Sequence, residues 1–259
     1  MKRRATLGWT AASLLLCVAM VGCWMGISRA NLVSRAFLPS PERTWAALVS
    51  GLGHGSMRQD MLATVTRMLL GWVLASCAGV ALGVAVGISA RARALLGPTL
   101  EFLRPLPASA LIPVGIAFFG LTQSMVLGVI CFGTLWPMLL ATVQGFAGVD
   151  PRLREVGMLL QLRRREVIGK IALPNALPDI LSGMRLGLTV ALILSVVGEM
   201  LAGQTGLGLR ILLAARAFRA PDLFAGVILL GAVGLLSNAL LSQMEHRLLR
   251  WMPSHAPTR

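Results

Sequence analysis

Arg67 and Glu199 stand out as ionisable residues inside otherwise apolar stretches of this chain. A charged side chain at membrane depth is costly, and it is kept where it pairs, lines a polar pathway or relays a proton. Arg67 lies about two turns into its stretch from the outer end and Glu199 near the outer end of another, so the two are expected at similar depth. That placement predicts a charge pair near an outer gate. Snorkelling of each side chain to the interface is the competing reading, and Arg185, near the inner end of its stretch, is expected to snorkel.

Other chemistry finds little support. His54, His246 and His255 lie outside the apolar stretches, and no HExxH pattern occurs. Cys17, Cys23, Cys77 and Cys131 lack CxxC spacing and neighbouring His, so they read as small core residues rather than metal ligands. Ser76 and Ser195 have no His at comparable depth to activate them. Gly169-Lys170-Ile171 is similar to the end of a P-loop, but Arg164 replaces its first Gly and Ile171 its Ser or Thr, so the phosphate cradle is missing. The chain is therefore expected to carry no catalytic residue and no metal.

The elements that position these residues follow from composition. Hydrophobic residues make up 56% of the chain and charged residues only 13%, against about a quarter in soluble domains. Six stretches are long and apolar enough to span a bilayer as helices: Leu7 to Ile27, Met61 to Ile88, Leu100 to Phe119, Ser124 to Phe146, Ile180 to Leu201 and Leu223 to Gln243. The fold class is an all-α polytopic membrane protein of about six transmembrane helices, a single transmembrane domain over 1–259 with its core at 61–243 and a loop at 147–178. The first stretch exceeds a signal-peptide core and is followed by a poor cleavage site, Ser28-Arg29-Ala30, so it is expected to remain as a helix.

Charge sets the orientation. The net charge of +14 would suit nucleic acid, yet the basic residues distribute like a topology signal. Lys2 to Arg4, Arg91, Arg93, the cluster Arg152, Arg154, Arg163 to Arg165 and Lys170, and Arg247 with Arg250 all fall on one side when both termini are cytoplasmic. The bias is imperfect, since Arg29, Arg35, Arg43, Arg58, Arg210, Arg216 and Arg219 fall on the other. The expected solvent is lipid, with no nucleic-acid partner.

Local signals refine the picture. Ser40 and Pro41 read as the N-cap and first residue of an amphipathic surface helix carrying Trp45, Leu48, Val49 and Leu52. Gly71, Ala75, Gly79, Gly83 and Gly87 clear one stripe of the second span for close helix packing. Pro105, Pro107 and Pro113 predict a broken third span, and irregular backbone at that depth marks a pathway segment. Between the fourth and fifth spans, Asp150 is a good N-cap and Pro151 a good first residue of a short helix outside the bilayer. Pro174 and Pro178 are expected to interrupt the run into the fifth span. Gly203 to Pro221 reads as an outer interfacial helix rich in Arg.

The segment Val149 to Pro174 resembles the coupling loop of ABC importer permeases, which reads Glu-Ala-Ala, a Gly four positions after the second Ala, then Ile-x-Leu-Pro. Glu155, Ile171, Leu173 and Pro174 fall at the matching positions. Val156 and Gly157 replace the two alanines, and Gln161 stands where the family has its turn Gly. The resemblance covers nearly the whole chain and is nearest to the nitrate, sulfonate and taurine branch, through Leu38-Pro39-Ser40-Pro41, Thr64-Val65-Thr66-Arg67, Arg104-Pro105-Leu106-Pro107, Phe119-Gly120, Val149-Asp150-Pro151, Gly183-Met184-Arg185, Val197-Gly198-Glu199-Met200 and Gly206-Leu207-Gly208.

What the resemblance implies is a transport function. A pair of permeases, here a homodimer in the bacterial inner membrane, would move a small, anionic solute with two partner ATPases that bind ATP and Mg, and an external solute-binding protein. No cofactor would sit in this chain. Asp150, Glu155, Gly157, Ile171, Leu173 and Pro174 would form the ATPase-coupling element, and Arg67, Pro105, Pro107 and Glu199 the pathway or gate. The competing class is an ion-coupled secondary transporter, which would normally place acidic or His residues deep in the spans, whereas Glu199 sits close to an end.

Overall fold

A computed structural model describes residues 2–251 apart from 31, 35 and 54. Arg35, His54 and His255 lie outside the described residues. Every regular element within them is helical, as lipid demands of a chain that must satisfy its own backbone. In order they are α1 (Lys2–Arg29), α2 (Pro41–Gly53), α3 (Ser56–Gly87), α4 (Ala90–Leu103), a 3-10 turn (Ala108–Leu111), α5 (Ile112–Phe119), α6 (Gln123–Ala147), α7 (Pro151–Leu159), α8 (Arg164–Val167), a π turn (Ile168–Ala172), α9 (Leu173–Ala202), α10 (Leu207–Arg216) and α11 (Ala220–Leu248).

Four helical segments are long and apolar enough to cross a membrane: α3, α6, the continuous run Arg165–Ala202, and α11. A further pair of helical pieces is long and apolar enough only when taken together. Helix α4 and the segment Ala108–Phe119 meet at a bend of 74°. The break falls at Arg104-Pro105-Leu106-Pro107, where two missing amide hydrogens prevent a continuous ladder, as the prolines predict. Helix α1 occupies the first expected stretch, with Leu15–Arg29 as its apolar part.

The centre of the bundle is a three-helix sandwich in which α6 packs along α3 on one side and α9 on the other. The small-residue stripe of α3 is buried as expected, and it faces α6. A Cβ on Gly83 would lie 2.8 Å from the Leu139 carbonyl oxygen, so the two backbones meet where only hydrogen fits. Met68, Ile112, Val126, Ile130 and Leu194 belong to one buried apolar cluster that joins α3, α5, α6 and α9. Trp72 donates its indole N–H to the Met184 carbonyl at 2.9 Å and so fixes α3 against α9. Helix α1 is held at its end by Trp24, which donates to Pro39 O at 2.9 Å and stacks on Phe224 of α11.

Three expectations need correction. Pro174 and Pro178 do not interrupt the fifth span: the helical run passes from Arg165 to Ala202 without a break. The π turn explains this for Pro174, because Leu173 N–H reaches back five residues to Ile168 O and Pro174 falls in the first turn of α9, where its missing donor costs little; Pro178 stands inside α9 without ending it. Cys17, Cys23 and Cys77 are exposed on helix surfaces rather than in the core, and only Cys131 is half-buried, near the Gly71 carbonyl. Arg185 does not snorkel alone but pairs with Glu245 of α11.

Gly83→Val should wedge α3 from α6 and cost about 1–3 kcal/mol, the usual range for overpacking a tight contact. Thermal unfolding in detergent checks it: the expected result is a lower Tm than that of the unsubstituted protein.

Candidate functional site

Helical spacing places Thr64 one turn before Arg67 on α3, and Ser195 one turn before Glu199 on α9, so each pair shares a face. Close packing of α3 against α9 brings the two faces together. All four residues are buried, with Arg67 only 4% exposed and Glu199 fully enclosed. Arg67 Nη1 donates to Glu199 Oε1 in an ion pair, and Arg67 Nη2 donates to the Thr205 carbonyl at 3.2 Å. The expected pair thus forms, and neither side chain snorkels.

The same carboxylate is met from the third side by backbone. Gly203 ends α9 in the left-handed conformation and turns the chain back. Gly206-Leu207-Gly208 then crosses directly over Glu199, and a Cβ at Gly206 would collide with its carboxylate. Gly208 N–H donates to Glu199 Oε2 at 2.9 Å, Thr64 Oγ1 lies 3.0 Å from the same oxygen, and Ser195 Oγ lies 3.3 Å from Oε1. Leu207 N–H in turn donates to Thr64 Oγ1 at 2.9 Å. Glu199 therefore sits at the N-terminus of α10, where the first amides and the helix dipole favour an anion.

A second tie lies nearer the surface, where Arg210 of α10 pairs with Asp60 of α3 at 2.9 Å. It borders a cavity of about 210 Å³ that is also lined by Thr205, Gly206, Arg219 and Asp222. From sequence, Thr64, Gly206 and Gly208 stand out only within family motifs, Ser195 only for lacking a His and Arg210 only for its charge; none of them, nor Asp60, is assigned there to this site. The one-turn spacing to Arg67 and Glu199 was the available signal for Thr64 and Ser195; the glycines needed the fold.

The loop at 147–178 holds the other group of candidates. Asp150 caps α7 by accepting Arg152 N–H at 2.9 Å, with Pro151 as first residue. At the other end, Leu162 N–H bonds Gly157 O and Gln161 N–H bonds Met158 O, each at 3.0 Å, which is a Schellman closure. Gln161 takes the left-handed conformation that closure requires, at φ 49°. The sharp turn is kept without the glycine. Gly157 is buried against Val167 and Ile171, which folds α7 onto the helical run that follows. Glu155 is exposed, and among the described side chains it makes no ion pair. Leu173 is exposed and Pro174 half-buried on the run into α9. Pro105 and Pro107 are both exposed at the break, well apart in sequence from the buried pair.

Glu199→Gln should leave the Arg67 guanidinium buried without its counter-ion and cost about 3–5 kcal/mol, while the joint change Arg67→Met with Glu199→Leu should recover part of that loss. Denaturation curves of the two purified variants distinguish a paired network from two independent residues. Gln161→Gly should relieve a left-handed strain of about 1 kcal/mol, read as slower amide exchange across residues 156–163.

Comparison with known proteins agrees with this architecture. Residues 75–252 match the family described as "Binding-protein-dependent transport system inner membrane component". The aliphatic sulfonates transport permease protein SsuC of Bacillus subtilis is 31% identical over 252 residues, covering 97% of this chain and 91% of that protein. The taurine transport system permease protein TauC of Escherichia coli is 27% identical over 256 residues, at 97% and 91% coverage. The nitrate import permease protein NrtB of Leptolyngbya laminosa is 27% identical over 233 residues, at 88% and 84%. Among solved structures, the inward-facing MetNI methionine ABC transporter is similar in fold, with a TM-score of 0.66 at 16% identity over 74% of this chain and 96% of that one. An all-α membrane bundle, a capped loop helix outside it and a family match over most of its length together make this chain a member of the inner-membrane permease components of binding-protein-dependent ABC importers.

Proposed function

We propose that the protein works as a homodimer that imports a small anionic solute of the sulfonate, taurine or nitrate kind. In this reading a cytoplasmic ATPase that binds ATP and Mg docks on α7, an external solute-binding protein docks on the α2 and α10 side, and both termini are cytoplasmic. The substrate class is supported by the relatives, which carry sulfonates, taurine and nitrate in their names. Orientation is supported by the basic residues gathered around α7 and at both ends of the chain.

The observation that carries the coupling role is the surface of α7. Met158 is 71% and Leu159 83% exposed on a helix that lies outside the spans and is capped at both ends. Apolar side chains held rigidly in water, next to the exposed carboxylate of Glu155, make a surface that gains by being covered. The packing of Gly157 on Val167 and Ile171 supports a mechanical role, since a push on α7 would be borne by the continuous run into α9. A second copy of the chain is what the resemblance to ABC importer permeases implies, since these work in pairs.

Glu155→Lys should leave the membrane level of the protein and the ATPase turnover of the assembled complex in place while uptake falls about tenfold or more, as expected when a charge-assisted contact is reversed. Uptake and hydrolysis measured together in proteoliposomes test this; normal uptake by the variant removes the role given to α7.

A further inference from the structure

A cavity of about 440 Å³ opens where the break at residues 104–107 faces α6 and α9. Its volume lies within the ~300–1,000 Å³ typical of small-molecule sites. Its polar lining is one-sided: Arg104, Ser109 and Trp136 can all donate a hydrogen bond, and no carboxylate lines it. Among the described residues the Arg104 guanidinium has no ion pair or hydrogen-bond acceptor, unlike Arg67, Arg185 and Arg210. The indole Nε1 of Trp136 is buried and also lacks an acceptor. Arg104 and Ser109 are themselves exposed, so the costly donor is the buried indole, and its missing partner is an acceptor. The rest of the wall is apolar and includes Leu140, Val190 and Val197.

A cation would meet Arg104 with no counter-charge, and a sugar would leave most of its hydroxyls against Leu and Val. An oxyanion head on a short alkyl chain meets neither penalty, because the head takes the donors and the chain covers the apolar wall. We propose that this cavity is the permease's own solute site and selects organic oxyanions with a short aliphatic tail, such as alkanesulfonates. Arg104 is the anion-binding residue, Ser109 and Trp136 orient the head, and Leu140, Val190 and Val197 set the accepted chain length. The inference rests on the import of a small anion proposed above.

The test uses the full complex, with its ATPase and binding protein, in proteoliposomes supplied with radiolabelled ethanesulfonate or butanesulfonate. Arg104→Gln is expected to lower uptake of both about tenfold, the scale of one charge-assisted hydrogen bond, with Arg104→Lys restoring part of it. Val190→Phe narrows the apolar wall and is expected to shift preference toward ethanesulfonate about fivefold, a readout that a general loss of stability would not produce. Wild-type uptake of neither sulfonate sinks the solute class and this site with it. Wild-type uptake together with unaltered rates in R104Q, or unaltered chain-length preference in V190F, overturns the site alone and leaves the solute class standing. Should R104Q fail to assemble, V190F decides by itself.

Discussion

A carboxylate shut away from water has to be answered on every lone pair, and at Glu199 the answers come from three separate parts of the chain. Arg67 and Thr64 belong to α3, Ser195 to α9, and the Gly208 amide to the start of α10. None of these groups tolerates being left alone in an apolar interior. The consequence is a knot: α3, α9 and α10 cannot slide past one another without breaking charged hydrogen bonds. The adjacent Asp60–Arg210 pair fastens the same helices closer to water, where each bond is weaker. Around this anchored end the remaining packing is van der Waals contact between small residues and large ones.

Toward the opposite charge-rich side the bundle is built for transmission rather than anchorage. A helix ends cleanly at Gln161, folds back onto Val167 and Ile171, and the chain then runs unbroken to Ala202. Glu199 lies one turn from the far end of that run. In the proposed cycle a displacement of α7 would therefore arrive, through a single helical rod, at the residue around which α10 is knotted. Rigid elements meeting at discrete contacts switch between packings more readily than they deform. The broken segment at residues 104–107 stands beside that rod and supplies what a straight span could not, a polar backbone and side chains facing a cavity.

Much of this was legible in the residues themselves. Fold class, the capped loop helix, the broken third span and the small stripe on α3 follow from period, proline and charge, because a membrane leaves helices as the only open choice and a proline has the same missing donor wherever it stands. Thr64 and Ser195 were one step away, at helical spacing from the charges. Proline was over-read at 174, where a π turn precedes it, and at 178, which α9 carries within itself; burial was over-read for Cys17, Cys23 and Cys77, since in lipid an apolar residue need not point inward.

By itself the amino-acid order determined which stretches are helical, where the third span breaks and α7 starts, and that Arg67 and Glu199 carry charge at an expensive depth. Those properties depend on neighbours a few positions away. Only the tertiary structure decided that Arg67 meets Glu199 across 132 residues, that Gly206 and Gly208 close over the carboxylate, and that Arg104 and Trp136 share one cavity. Such contacts depend on the rotation and depth of packed helices, and those are set by how all the side chains of α3, α6 and α9 fit together at once.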